Sequence, residues 1–143
     1  MNVEPNTIRI VDLDNTVSDD TWRHWLIDPE APDGLHKYHE YHLHCGGDTV
    51  INRHIVDEAP CKVFFMTARP EYMRLKTRRW LEDNNLRYDA LIMRPNDNEE
   101  HSAEMKRKFT LDLLKLFKIE KAYDDRQDII HMYNSIGVKG ILV

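Results

Sequence analysis

Short continuous apolar runs alternate along most of the chain with stretches of helical periodicity. Thr7–Leu13 (TIRIVDL) is rich in β-branched residues and predicts a strand, and Cys61–Met66 (CKVFFM) predicts a second. Tyr88–Met93, Lys121–Tyr123 and Gly140–Val143 are three further short apolar runs. A helix is expected from Pro70, a residue suited to a first turn, through Tyr72, Leu75, the stem of Arg79, Trp80 and Leu81, with Asn84–Asn85 as its stop. Ser102 and Glu104 favour helix initiation, and Met105, Phe109, Leu113, Leu114 and Phe117 continue that helix as an apolar stripe. A last helix runs over Asp128–Ile136 and is stopped by Gly137. Each strand is a continuous apolar run rather than a half-exposed alternation. That favours an α/β fold, a parallel sheet with helices on both faces and right-handed crossovers.

Val17–Pro60 breaks the alternation. It holds Trp22, Trp25, a Pro/Gly bend over Asp28–Gly34, and two expected helices, about Leu35–His44 and about Thr49–Glu58, separated by Gly46–Gly47. It is read as a small helical cap insert (residues 17–60) over the carboxyl edge of the sheet, within a single domain spanning residues 1–143.

Length and charge narrow the picture. The chain has 143 residues, 41% hydrophobic and 31% charged, enough for one core and too few for a separate substrate domain. A net charge of −5 supplies no global basic field to draw it onto nucleic acid, although a local basic patch is compatible with it. The start of the chain is short and polar and does not read as an export signal, and no apolar stretch approaches the ~20 residues of a membrane span. Two cysteines, Cys45 and Cys61, are too few for a disulfide scaffold, so a cytoplasmic location with reduced thiols and no membrane partner is expected. Oligomeric state is not encoded in these patterns.

The chemistry gathers at strand ends, where ligands of such sheets sit. Asp12 and Asp14 end the first strand two residues apart, and Asp124 and Asp125 end a later one. Converging carboxylates repel, and a divalent cation removes the repulsion; Mg²⁺, which takes hard oxygen ligands, is the expected cofactor. Thr67 adds a hydroxyl at another strand end. Lys106, early in a helix, can reach a phosphate as a point charge. The competing reading, carboxylates that only cap turns, fits one D-x-D better than four signals in this order.

Asp12-Leu-Asp14-Asn-Thr16, then Thr67, Lys106 and Asp124-Asp125 with Asp128, resemble the four ordered motifs of the haloacid dehalogenase superfamily. Met66-Thr-Ala-Arg-Pro70, Ile92-Met-Arg-Pro95 and Tyr123-Asp-Asp-Arg126 narrow the resemblance to the 3′-phosphatase domain of phage polynucleotide kinases and its stand-alone phage relatives. No Gly-x-x-x-x-Gly-Lys-Ser/Thr loop is present, so no kinase half is expected in this sequence. The resemblance implies a phosphomonoesterase. Asp12 is the nucleophile and Asp14 the proton donor and acceptor. Asp12, Asp14 (through its backbone carbonyl) and Asp124 or Asp125 hold Mg²⁺, and Thr67 and Lys106 hold phosphoryl oxygens. Asp128 either orients Lys106 or caps its own helix. Many members carry Gly where this chain has Asn15, a residue that tolerates a left-handed backbone.

Thr16, Arg69, Arg94 and Arg126 are assigned to substrate, the arginines because guanidinium groups match phosphate with paired donors. Surface ion pairs are the competing reading. His36, His39, His42 and His44 fall close together with Cys45, yet match no zinc motif, so histidines lining or flanking the active-site mouth, with Tyr38, Tyr41 and Leu43 packed beneath, are favoured. Trp22 and Trp25 either stack on a nucleobase or anchor the insert. The expected partner is a phosphorylated nucleic-acid end, with a free nucleotide as the alternative that the acidic balance favours.

Overall fold

The computed structural model describes residues 4–143, Leu35 by its backbone alone. Five parallel strands form one sheet: β1 (Thr7–Val11), β4 (Lys62–Pro70), β5 (Ala90–Arg94), β6 (Lys118–Asp124) and β7 (Gly140–Leu142). Their order is β5-β4-β1-β6-β7, so β1 is central and flanked by β4 and β6. The chain runs outward from β1 to β4 and β5, then returns to the other side of β1. The carboxyl end of β1 is therefore the topological switch point, where a crevice opens.

Side chains alternate across the sheet and build two cores. Val11, Val63, Phe65, Trp80 and Leu81 pack on the face covered by α3 (Arg74–Asp83). Ile8, Ile10, Phe64, Met66, Ile129 and Tyr133 pack on the other, under α4 (Ser102–Leu114) and α5 (Gln127–Ser135). Burial on both faces is why the strands read as unbroken apolar runs. Arg9, which interrupts the first run, is buried and neutralised: its guanidinium donates to Glu120 at 2.9 and 2.8 Å and to the Ile55 carbonyl at 2.9 Å.

The expected helices form with two adjustments. A 3-10 turn over Glu71–Met73 precedes α3. A turn of different pitch resets the phase of the stripe. Met73 and Thr77 are buried in place of Tyr72 and Leu75, which are exposed. In α4, Lys106 and Thr110 are buried beside Met105, whereas Leu114 is exposed. The helix stops hold: Asn85 and Gly137 have φ of 54° and 81°.

The segment between β1 and β4 is less helical than expected. Short 3-10 turns dominate it, with α1 (His39–Leu43) and α2 (His54–Asp57) as its two α-helical pieces. Thr49–Val50, expected to open a helix, instead form strand β3, antiparallel to β2 (Ser18–Asp19), with Ser18 opposite Val50 and Asp19 opposite Thr49. This two-residue ladder clamps the roots of the insert together. Among the described residues no helix is long and apolar enough to cross a membrane.

Candidate active site

β1 ends at Val11, and the six residues Asp12–Val17 form a tight loop before β2. The Leu13 carbonyl accepts from the amides of Thr16, Val17 and Ser18, each at 3.0 Å, and Asn15 sits at φ 60°, the left-handed geometry expected there. With Leu13 turned into the core, Asp12 and Asp14 flank it at the rim.

The two carboxylates meet opposite surroundings. Asp12 lies among acids: one oxygen each of Asp12, Asp124 and Asp125 fall within 4.8 Å of one another. Burial, then the charges of Asp124, Asp125 and Asp14, push the Asp12 carboxyl well above its usual range, and Lys106 opposes the shift. The Lys106 ammonium, buried in the first turns of α4, bridges Asp12 at 2.9 Å and Asp124 at 2.6 Å. Thr16, assigned to substrate, is fully buried and donates its hydroxyl to Asp12 at 3.0 Å, so in this structure it orients the carboxylate instead.

Asp14 lies among arginines. Arg23 reaches it at 2.5 Å and Arg69 at 2.7 Å. Burial works against its charge, but Arg69 and Arg23 outweigh it and hold the carboxyl well below the usual range. Both guanidinium groups are fully buried and share a second acid, Asp48, whose nearest oxygens are 2.7 Å from Arg23 and 3.4 Å from Arg69. Asp48 also accepts from the Trp22 indole at 2.8 Å and from Ser18, and its carbonyl from the Trp80 indole at 2.7 Å. Arg69 arrives through an irregularity in β4: Thr67 pairs with Met93 and Pro70 with Arg94, so Ala68 and Arg69 leave the ladder. β4 thus runs past Thr67, which was expected at its end. The Thr67 hydroxyl is buried and accepts from the Arg69 amide at 3.1 Å.

Arg23 and Asp48 are site residues that the sequence reading did not single out. Arg23 stands in TWRHWL between two tryptophans, where a lone cation in an aromatic run is the signal available.

Arg94 borders the cavity above these acids, but its donors are spent on Ala68, Asn98, Glu100 and Ser102, so it organises the loop before α4. Arg126 also borders the cavity and is exposed, paired with Asp128 at 2.9 Å. Asp128 touches neither Lys106 nor its own helix cap among the described residues; it pairs with Arg126 and, at 3.7 Å, His101. Trp22 anchors the insert through Asp48, whereas Trp25 is 78% exposed. Among the described residues the histidines form no metal-binding cluster: His39 contacts the Tyr72 hydroxyl at 3.0 Å, and His42 alone of the four lines the cavity. Tyr41 packs beneath it as expected, and Tyr38 stays at the mouth.

The cavity, about 630 Å³, lies between the sheet edge and the insert, with eight carboxylates and three cations (Arg94, Lys106, Arg126) on its wall. Asp12, Asp124 and Asp125 supply hard oxygen donors at a separation suited to a divalent cation, so these residues fit Mg²⁺. The Asp14 carboxylate is turned to the arginines and stands outside that group.

This sheet, with a strand-end aspartate, a buried lysine and a second acidic strand end, defines a hydrolase of the haloacid dehalogenase type. Residues 6–143 match the family described as the polynucleotide kinase PNKP phosphatase domain, and the chain belongs to that family; it is a phosphatase of that type. Two solved structures of the Pnkp1/Rnl/Hen1 RNA repair complex contain a similar fold, with TM-scores of 0.73 and 0.74, each at 20% identity. The matches cover 96% and 99% of this chain but 42% and 47% of those chains. A hydrolase from Streptococcus pneumoniae TIGR4 is similar at TM-score 0.57 and 12% identity, over 99% of this chain and 94% of that one. No curated protein matches the sequence.

Proposed function

We propose that this phosphatase is Mg²⁺-dependent, works through an aspartyl-phosphate on Asp12, and removes terminal phosphate from nucleic-acid 3′ ends, the insert acting as a small cap on one domain. The observation that carries the chemistry is the Asp12, Asp124 and Asp125 cluster at the switch point, with Lys106 at 2.9 and 2.6 Å. Bound Mg²⁺ would supply charge neutralisation and alignment of the phosphoryl oxygens, held by Asp12, Asp124 or Asp125 and the Asp14 carbonyl.

A carboxylate oxygen of Asp12 attacks phosphorus in line as the ester P–O bond breaks, and the leaving alkoxide takes a proton from Asp14. Water, giving its proton back to Asp14, then releases inorganic phosphate and regenerates Asp12. Asp14 swings from Arg23 and Arg69 to carry a proton, because beside them it is ionised. Lys106 keeps its charge against burial because Asp12 and Asp124 outweigh the desolvation, and it offers that charge to the phosphoryl group with Thr67. Arg126 is the cation best exposed to meet a further phosphate.

Family membership supports a polynucleotide end as substrate. The excess of carboxylates on the cavity wall favours a second reading, nucleoside monophosphates, because a polyanion would be repelled there. The test is kcat/KM on 3′-phosphorylated oligonucleotides against 3′- and 5′-mononucleotides, with Mg²⁺ and with EDTA. Oligonucleotides are expected to be turned over at least as fast as mononucleotides, and EDTA to abolish activity. Mononucleotides faster by orders of magnitude would overturn the polynucleotide reading, and full activity in EDTA the metal dependence.

A further inference from the structure

Part of the cavity wall is built from the insert, and it carries an unusual pair of atoms. Three buried side-chain polar atoms have no hydrogen-bond partner among the described residues: Thr7 Oγ1, Asp20 Oδ1 and His42 Nδ1. Two of the three belong to residues lining this one cavity. Buried polar atoms without partners are rare and costly, so two on one wall call for a ligand that supplies donors.

The wall is rigid. Tyr41 is buried, its ring lies 4.1 Å under the Arg23 guanidinium and 5.1 Å from the His42 ring, and its hydroxyl is donated to Asp20 Oδ2. His24 closes on the same oxygen at 2.9 Å, which leaves Oδ1 of Asp20 as the unused acceptor. Burial is the main influence on His42, joined by the cations Arg69, Arg23 and Arg94 and opposed by Asp14; its ring is held neutral, with a pKa of about 4. A neutral imidazole retains an acceptor nitrogen. Tyr38 also lines the cavity, 37% exposed, its ring centroid 6.2 Å from that of His42.

Charge says what does not bind there. Asp20, Asp33, Glu99 and Glu100 line the cavity besides the acid cluster, so backbone phosphates are repelled, and an uncharged group with hydroxyl donors and a flat face is what complements it. At about 630 Å³ the cavity is in the range that takes a small organic ligand as well as a phosphate.

We infer that this wall is a ribonucleoside subsite: Asp20 and His42 accept hydrogen bonds from the nucleoside, His42 from its 2′-hydroxyl, and Tyr38 stacks on the base of the terminal nucleotide whose phosphate is removed. The inference rests on the phosphatase acting on a nucleotide end, and it specifies which part of that end is read. The enzyme then recognises one nucleoside and prefers ribose to deoxyribose.

The experiment has an activity arm and a binding arm. In the first, kcat/KM is measured on 3′-phosphorylated ribo- and deoxyribo-dinucleotides for wild type, His42→Ala and Tyr38→Ala. Wild type is expected to favour ribose by about tenfold or more, and His42→Ala to erase most of that preference. Tyr38→Ala is expected to lower both substrates by a similar factor, about 5- to 50-fold. In the second, the His42 imidazole resonances are followed by NMR while adenosine or 2′-deoxyadenosine, neither carrying phosphate, is added. A shift with adenosine that is much weaker with deoxyadenosine supports the subsite independently of whether any nucleotide is hydrolysed. Equal shifts, or none, overturn it, as does a ribose preference that His42→Ala leaves intact. If no nucleotide is hydrolysed but adenosine shifts His42, the phosphatase reading on nucleotide ends fails and the subsite stands.

Discussion

Asp12 and Asp14 are two residues apart and are held by opposite means. The Asp12 side belongs to the sheet: β1, β6 and α4 bring together Asp12, Asp124, Asp125 and Lys106, and burial with like charge drives the Asp12 carboxyl up. The Asp14 side belongs to the insert and to the slipped end of β4, where Arg23 and Arg69 drive the carboxyl down. Two carboxyl groups pushed apart in this way can take different parts in one reaction. The sheet side gathers three acids around one lysine, whereas the insert side sets two arginines against Asp14 and Asp48.

The sharpest way to break this comparison is Asp12→Asn. Loss of about four orders of magnitude in phosphatase kcat is expected, with the fold retained by circular dichroism. Activity near wild type would remove Asp12 as the nucleophile and with it the division between the two sides. Asp48→Ala attacks the insert side. It leaves Arg23 and Arg69 buried with one shared acid, and a loss of about 3–5 kcal/mol is expected in denaturant unfolding. A loss below about 1 kcal/mol would show that the network is not what holds the insert down.

Acid sharpens it further. The folded His42 pKa of about 4 lies below the ordinary 6.5, so between those values the unfolded chain binds the extra proton and stability rises with pH. Stability is therefore lost as pH falls from about 6.5 to 4, by up to about 3 kcal/mol for this group. His42→Gln is expected to flatten that part of the unfolding profile. Asp14, whose pKa is lowered, adds a loss of the same sign at lower pH, below the ordinary carboxylate value. The smallest effect is expected from Trp25→Ala, within about 0.5 kcal/mol in the same measurement, because the ring is 78% exposed.

The two regions also differed in what the amino-acid sequence disclosed. Ile8, Ile10, Phe64 and Met66 on one face, with Val11, Val63 and Phe65 on the other, make runs that only a doubly covered parallel sheet buries. Asp12 and Asp124 end such runs, so their convergence was legible with the strands. The slip in β4 that turns Arg69 inward depends on pairing with β5 and leaves no local trace. In the insert, a buried Arg23 looks in sequence like any solvated arginine, because its partner Asp48 is 25 residues away. Thr49–Val50 became strand rather than helix through pairing with Ser18–Asp19, again a contact outside any short window. Asn15 was legible for a different reason: its left-handed backbone, φ 60°, is a local property of the residue type.

The two-residue clamp between β2 and β3 has a consequence for how such a molecule can diversify. With Ser18 opposite Val50 and Asp19 opposite Thr49, the intervening chain is a closed loop whose ends stay fixed whatever lies between them. Lengthening a closed loop is inexpensive in entropy, about 0.6 kcal/mol for each doubling. Segments of other lengths can therefore be grafted between those roots, with Arg23 and Asp48 kept as internal fasteners, while the sheet and its acidic rim go on folding as before. The insert is in that sense an exchangeable cassette on a fixed sheet.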